Sequence, residues 1–327
     1  MRNANSISRW FGIVLLAGAA GTGCELAVLD PELDAMGAHG SPLAGGAAAP
    51  TDPGQAQETG GADGIDAAAC TGALQIADPA LEAALREAAG KPTGPLYPDD
   101  FASLDYVDVS SSGIESLSGI ECLTSVTSLY LGHNLVTDLT PLSSLTELRF
   151  LSLESNQITD VSPLSSLVNL EQLSLNVNAI SDVTPLGSLT NLYFLSLSLN
   201  PITDVSPLGA LVELDKLYLV QTSVTTLAPL SGLSALTVLV ASDSEITDIS
   251  GLSTMTNLRW VALSNNNISN VYPLVANLGI GQGDSVFLLG NPINCDSASQ
   301  AINLERLWRR GVELYTECPR RRWVTLP

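Results

Sequence analysis

A sequence unit that returns at a fixed interval constrains this chain more than any other feature. The head of one unit, Leu151-Ser-Leu-Glu-Ser-Asn156, comes back 22 residues later as Leu173-x-Leu-x-x-Asn178. Every step has this length except the last, which is 25 residues. One such unit cannot bury its own apolar side, so the units must stack side by side into a solenoid. The nine heads end at Ser112, Asn134, Asn156, Asn178, Asn200, Thr222, Ser244, Asn266 and Asn291.

Leucines alternate with polar residues within each head, which is the period of a strand with one buried face. Strands of successive units then form a parallel sheet with a spacing of about 4.8 Å. Behind the head, Ser162 as cap and Pro163 in first position predict a short 3₁₀ or α turn. The sequence therefore predicts an α/β leucine-rich repeat solenoid, an arc with a parallel β-sheet on its concave face and short 3₁₀ or α turns on its convex face.

The Asn that closes each head stands where the chain leaves the strand. Its amide can both donate to and accept from turn backbone that the leucines shut away from water. Thr222 and Ser244 replace Asn in adjacent units, and Thr226 replaces the usual Asp there. We expect the array to be softest at these two units.

Aspartates recur at a second fixed position. Carboxylate oxygens invite a calcium interpretation. One carboxylate per unit, about one strand spacing from the next, is more simply a ladder of turn-capping acceptors. We therefore predict turn caps and no metal site. The column consists of Asp138, Asp160, Asp182, Asp204 and Asp248.

The start of the chain has the order of a secretory signal. Arg2 and Arg9 precede an apolar run over 10–20, and small residues follow. This run is shorter than the roughly 20 residues that span a bilayer. Cys24 stands where a bacterial lipoprotein carries its lipidated cysteine, although Gly21-Thr-Gly matches the usual lipobox only loosely. Lipidation at Cys24 is expected, with ordinary cleavage after a small residue as the alternative.

Composition divides the rest of the chain. Residues 25–69 have almost no large apolar side chains, which predicts a disordered stalk. A cap helix should begin at Pro79, with Asp78 as N-cap, and end at Gly90. The predicted domains are a signal peptide at 1–24, the stalk at 25–69, a helical N-terminal cap at 70–104, nine repeats at 105–291, and a C-terminal cap with a basic tail at 292–327.

The five cysteines of an exported chain leave one over, and Cys24 is the natural odd one. Cys70 and Cys122 fall at one end of the solenoid, and Cys295 and Cys318 at the other. We expect each pair to form a disulfide that staples one cap. Free buried thiols are the alternative, but an oxidising compartment disfavours them. None of the spacings matches a zinc site.

Charge and motif content narrow the function. A net charge of −21 argues against nucleic acid and is typical of a solubilised surface. The histidines, His39 and His133, stand in no catalytic arrangement. The glycines of 279–283 lack the strand–turn–helix context of a dinucleotide loop and more simply absorb the extra residues of the last step. We expect no enzyme and no cofactor.

Aromatic residues cluster at the outward positions of the predicted strands. A soluble sheet has no structural need for aromatics there, and contiguous exposed ones mark a binding surface. Incidental exposure on a β-favouring surface is the alternative. The candidate ligand-binding residues are Tyr106, Tyr130, Phe150, Tyr193, Phe194, Tyr218, Trp260 and Phe287.

The repeats resemble the internalin-type leucine-rich repeats of bacterial surface proteins, which read LxLxxNxIxDIxPLxxL. The resemblance covers roughly residues 70–318 and implies a helical first cap and an irregular last repeat. It specifies the fold and not the ligand. The chain departs from the pathogen internalins in showing no wall-anchoring signal, a task that Cys24 would perform differently.

Two classes of function follow. The first is an exported, surface-tethered module that binds a protein partner, or a polysaccharide, through its concave aromatics. The second is a structural envelope protein that associates with itself. Contact with a membrane is expected only through a lipid at Cys24. The expected place is the cell envelope as an outer-surface lipoprotein, or alternatively the periplasm or the medium.

Overall fold

The computed structural model describes residues 70–320. Within them the backbone forms one sheet of ten parallel strands, ordered as in the chain. This arrangement confirms the leucine-rich repeat solenoid. The strands are β1 (Tyr106–Asp108), β2 (Ser128–Tyr130), β3 (Phe150–Ser152), β4 (Gln172–Ser174), β5 (Phe194–Ser196), β6 (Lys216–Tyr218), β7 (Val238–Val240), β8 (Trp260–Ala262), β9 (Ser285–Phe287) and β10 (Glu313–Tyr315).

The register of the sheet follows the repeat. Leu151 of β3 lies between Leu129 of β2 and Leu173 of β4. These leucines are fully buried in one continuous core that runs from the first repeat to the last. Each buried leucine contributes about 1.5–3 kcal/mol of transfer free energy, so aligned leucines fix the register without help from the outward residues.

Short 3₁₀ helices return the chain behind the sheet. In the third repeat the helix begins at Ser162, and the cap position is Val161, whose side chain makes no capping hydrogen bond. The prediction of Ser162 as the cap is therefore wrong. The capping acceptor is Asp160, whose Oδ1 receives the Ser162 N–H at 2.8 Å. The 3₁₀ helices are Pro98–Asp100, Ile120–Cys122, Thr140–Ser144, Ser162–Ser166, Thr184–Ser188, Ser206–Ala210, Ala228–Gly232 and Ser250–Ser253.

The same contact recurs along the Asp column, which confirms its role as a ladder of turn caps. Asp138, Asp182 and Asp204 each accept the backbone N–H two residues on, at 2.8 Å. Hydrogen bonds from the Thr184 hydroxyl and N–H lower the pKa of Asp182. Among residues 70–320 no three His, Cys, Asp or Glu side chains are grouped as metal ligands would be.

The first end of the array is closed by helix α1 (Pro79–Ala88). As predicted, Asp78 is its N-cap and Pro79 occupies its first turn. The second oxygen of Asp78 accepts the N–H groups of Glu115 and Ser116 at 2.8 and 2.9 Å, which ties the cap to the first repeat. Burial pushes the pKa of Asp78 upward, but the four backbone donors outweigh it and hold that pKa below its usual value.

The other end departs from the repeat. Helix α2 (Tyr272–Ala276) leads to Gly279, where a Cβ would lie 1.8 Å from the carbonyl oxygen of Thr256. The close approach of two backbones requires glycine there. Helix α3 (Ala298–Arg309) follows, and β10 then pairs with β9 as the last strand of the sheet. The tenth strand was not predicted, because its sequence lacks the Leu-x-Leu-x-x-Asn head.

Each end carries one disulfide. Cys70 is bonded to Cys122 and Cys295 to Cys318, as predicted. Cys70–Cys122 joins the N-terminal cap to the first repeat, Cys295–Cys318 lies within the C-terminal cap, and neither bond crosses the middle of the array.

The turn that follows each strand is left-handed at one residue. The φ angles of these residues lie between 53° and 59° in eight successive repeats. This conformation costs a residue other than glycine about 1–2 kcal/mol, with Asn and Asp the best tolerated. Backbone bonds enforce it: Val177 N–H donates to Ser198 at 3.0 Å and Leu199 N–H to Val220 at 2.7 Å. The left-handed residues are Ser111, His133, Ser155, Val177, Leu199, Gln221, Asp243 and Asn265.

The Asn column joins neighbouring repeats through these turns. The Asn178 amide nitrogen contacts the carbonyls of Leu153, Leu175 and Asn176 at 3.0 to 3.3 Å. Its oxygen accepts the N–H of Ile158 at 3.0 Å. One side chain thus fastens its own strand end to the preceding repeat, which confirms the predicted role.

Candidate binding surface

The outward side of the sheet, here called the sheet face, carries the candidate aromatics on its strands. The most exposed is Tyr106, with 51% of its surface accessible. Tyr130, Phe150, Tyr218 and Trp260 are partly exposed. They lie at outer strand positions, while their neighbours Leu129 and Leu151 point into the core.

The rings form chains of contacts across adjacent strands. Tyr106 contacts Tyr130 with ring centroids 4.9 Å apart, and Tyr130 contacts Phe150 at 4.6 Å. We call these three residues the first aromatic row. Phe194 contacts Tyr218 at 5.5 Å in the middle of the sheet.

A second aromatic row, Trp260, Phe287 and Tyr315, lies at the far end, with centroid distances of 4.8 and 4.4 Å. The sequence reasoning missed Tyr315, because it stands on the strand that no repeat signature marks. Its ring, parallel to that of Phe287 within 5°, is 42% exposed. The outward alternation around Leu314 was the available signal.

Two candidates are less accessible than their outward position implied. Phe194 is only 8% exposed and Phe287 only 6%. Phe287 is held between two rings, and Phe194 lies between Gln172 and Lys216 of the flanking strands. Neither ring is an open contact, because neighbouring side chains on the same face cover it.

Beyond the strands, Tyr193 precedes β5 and is 38% exposed, and its hydroxyl contacts the Gln172 side chain. Burial, then a hydrogen bond from its hydroxyl to Asp108, raises the pKa of Tyr106 to about 12. Burial also raises the pKa of Tyr130. Both phenols are therefore neutral hydrogen-bond donors at physiological pH.

Small polar side chains separate the aromatics in the centre of the face. Ser152, Ser174 and Ser196 occupy the same column on β3, β4 and β5. Asn176 donates to the Ser174 hydroxyl at 3.1 Å and accepts from the Ser196 hydroxyl at 2.6 Å. The polar groups of this stretch satisfy one another, so no reactive group stands out among them.

Other predictions lie outside the described residues. These are the signal peptide, the stalk, lipidation at Cys24, and the tail beyond Arg320. No helix within residues 70–320 is long and apolar enough to cross a membrane.

Comparison with known proteins identifies the repeats. The family model for leucine-rich repeats in two copies matches residues 146–188 and 168–210. No curated protein sequence matches the chain.

Solved structures extend the likeness beyond these residues. Internalin C2 from Listeria monocytogenes is 39% identical over 62% of this chain and 90% of its own, with a TM-score of 0.60. The ectodomain of the plant receptor kinase GASSHO1/SCHENGEN3 from Arabidopsis thaliana is 25% identical, with a TM-score of 0.52. That match covers 64% of this chain and 27% of the receptor chain. The repeats, the parallel sheet and the similarity to these structures together show that the chain is an internalin-like leucine-rich repeat protein.

Proposed function

We propose that this chain is an exported, cell-surface-tethered module that binds a protein partner through the sheet face. The observation that carries the proposal is the first aromatic row, whose touching rings run from half-exposed Tyr106 to Phe150. Clustered aromatics dominate the binding energy of protein interfaces. The structure of the plant receptor ectodomain was solved in complex with Casparian strip integrity factor 2. A leucine-rich repeat protein of related fold can therefore form a complex with such a ligand.

The geometry of the first row favours a protein over a polysaccharide. Successive rings are inclined to each other by 54° and 31°. Tilted rings expose edges as well as faces, which carry opposite partial charge, so the row can contact the varied side chains of a protein. The parallel faces of Phe287 and Tyr315 are already turned against each other.

Photo-crosslinking tests the surface. A benzophenone amino acid is placed at Phe150 in the full chain, and at Val168 in the matched control, which lies off the sheet and is 47% exposed. Incubation with envelope and host-surface extracts should give a discrete protein adduct from position 150 only. Equal adducts from both positions would reject the sheet face.

The adduct partner is then purified for affinity measurement. Replacing Tyr106 and Phe150 together by Ser should weaken its binding at least a hundredfold, because each central aromatic contributes about 2 kcal/mol or more. Phe194 is unsuitable for this test, since it is buried. If no adduct forms and the size of the particle in solution increases with protein concentration, the protein is instead a self-associating envelope protein.

The tether is the second part of the proposal. Two disulfides support export, because such bonds persist in oxidising compartments. Cys24 remains as the odd cysteine for a lipid. Cys24→Ser should move the protein from the membrane fraction to the soluble fraction and abolish acyl labelling. Unchanged fractionation and labelling would exclude a lipid at this position.

A further inference from the structure

The edge of the sheet where the strands end carries an unusual pair of side chains. Val177 and Leu199 occupy the left-handed position in adjacent repeats, with φ angles of 56° and 59°. Each is 45% exposed. Left-handed backbone strongly disfavours β-branched residues such as valine. Elsewhere the same position is held by residues that tolerate it better, including Asp243 and Asn265.

Local structure therefore does not account for this pair. An Asn at either position would relieve strain and replace exposed apolar surface with a polar group. Strained residues that persist against local preference tend to mark functional positions. Backbone hydrogen bonds to Ser198 and Val220 fix the main chain of the two residues, and both side chains are exposed.

Neighbouring residues enlarge the apolar surface. Ala179 and Pro201, two positions further along the same turns, are also exposed. We call these four residues the aliphatic edge patch. On either side the equivalent positions are polar: Ser155 and Gln157 precede the patch, and Gln221 and Ser223 follow it.

The charge around the patch is of one sign. In the described turns at 109–119, 131–139, 153–161, 175–183, 197–205, 219–227, 241–249 and 263–271 the chain has no Lys or Arg. The acids of these turns are Glu115, Asp138, Glu154, Asp160, Asp182, Asp204, Asp243, Glu245 and Asp248. The exposed acids in the turns of the patch and in the preceding turn are Asp160, Asp182 and Asp204. An apolar surface on turns whose charged residues are all acids is complementary to an apolar partner that carries Lys and Arg.

We infer that the aliphatic edge patch is a second contact surface, separate from the sheet face, for a protein that presents apolar side chains surrounded by Lys and Arg. The apolar centre supplies the buried contact, and the acidic turns select the cationic border and speed association at low salt. The patch needs no bound metal and no covalent step.

A random cyclic peptide library, displayed on phage and selected on the full chain, probes this chemistry directly. One set of enriched peptides should combine Leu, Ile, Val or Phe with flanking Lys or Arg. Their affinity should fall at least tenfold in the double variant Val177→Asn, Leu199→Asn, and weaken steadily as salt is raised. Since Asn accepts left-handed backbone, this variant should melt no lower than the parent, which separates lost binding from misfolding.

Matched controls locate the effect. Val168→Ser, Val212→Ser removes two apolar side chains of 47% exposure from the return side and should leave peptide affinity unchanged. Tyr106→Ser, Phe150→Ser alters the sheet face and should also leave it unchanged. Selection that yields no such peptides, or peptides that bind the Asn variant equally well, overturns the inference. Concentration-dependent self-association abolished by the Asn variant would replace the cationic partner with a second copy.

Discussion

The repeats closed by Asn and the two closed by Thr222 and Ser244 follow the same backbone path with different support. Asn200 contacts the carbonyls of Leu175, Leu197 and Ser198 through its amide nitrogen, at 2.8 to 3.3 Å. An amide has two hydrogens for such contacts, whereas a hydroxyl has one. The Ser244 hydroxyl lies near Leu219 and Ser242 carbonyls at 3.2 and 3.3 Å and can donate to only one of them at a time.

The backbone conformation is nearly the same where a hydroxyl replaces the amide. The left-handed residues beside the two hydroxyls, Gln221 and Asp243, have φ angles of 53° and 56°, as in the other repeats. Partial compensation comes from the hydroxyl of Thr222, which contacts Leu219 and Ser244. The neighbouring repeats thus determine the turn conformation, and the closing side chain determines how much the turn contributes to the free energy of unfolding.

Removing one amide should have the largest effect. Asn178→Ala strips two carbonyls and one N–H of their shared partner, and we expect a loss of about 1–3 kcal/mol. Ser244→Ala should cost less, about 0.5–1.5 kcal/mol, because the hydroxyl donates one hydrogen bond and accepts the Thr222 N–H, whereas the amide of Asn178 donates two and accepts one. Urea unfolding of both variants measures the difference. Equal losses would mean that the amide is no better a closure than a hydroxyl.

Restoring an amide should have a smaller and opposite effect. At position 200 the amide reaches the carbonyls of Leu175 and Leu197, and the equivalent carbonyls for position 244 belong to Leu219 and Ala241. Ser244→Asn lets one side chain reach both, and the free energy of unfolding should rise by about 0.5–1.5 kcal/mol. Ser242→Asn makes the same chemical change on the sheet face and serves as the control. A midpoint that rises in the control and not at position 244 contradicts the comparison.

Acid should reveal the smallest difference. Backbone and hydroxyl hydrogen bonds from Ser206 hold the pKa of Asp204 below its ordinary value, whereas Thr226 has no titrating group at the equivalent position. A lowered folded pKa stabilises above the ordinary Asp range, and that contribution disappears as pH falls through the folded pKa. Asp204→Asn should therefore reduce stability at neutral pH and make no difference in strong acid.

The corresponding control is Ser166→Ala, whose hydroxyl donates to the backbone carbonyls of Ser143 and Pro163. Its cost should be the same at both pH values, since neither partner titrates. If the loss in Asp204→Asn also persists unchanged in strong acid, its charge does not contribute to the turn.

Most of the array could be predicted from the sequence, because the spacing of its leucines and asparagines gives the position of each strand and turn. Leu151 and Leu173 stand one period apart and pair in the sheet. Asn178 was recognisable as a turn closure for the same reason. Cysteine placement at the two ends likewise led to the observed disulfides.

What the sequence could not supply depends on three-dimensional neighbours. Val177 has no local preference for left-handed backbone, so only its hydrogen bond to the next strand places it there. Phe194 occupies an outward position and is still buried by its flanking strands. Tyr315 joined the aromatic surface through a strand whose pairing comes from the end of the array and not from a repeated motif.

The two cap disulfides have a consequence for proteolysis. A stacked array ordinarily opens from its ends, where a repeat has one neighbour instead of two. Here a disulfide stabilises each end of the array, while the two interior repeats closed by Thr222 and Ser244 have fewer side-chain hydrogen bonds to their neighbours. Within residues 70–320 a protease should first cut between 222 and 244, and the two early fragments should each keep one intact disulfide. Early cleavage beside Cys70 or Cys318 would show that the ends still open first.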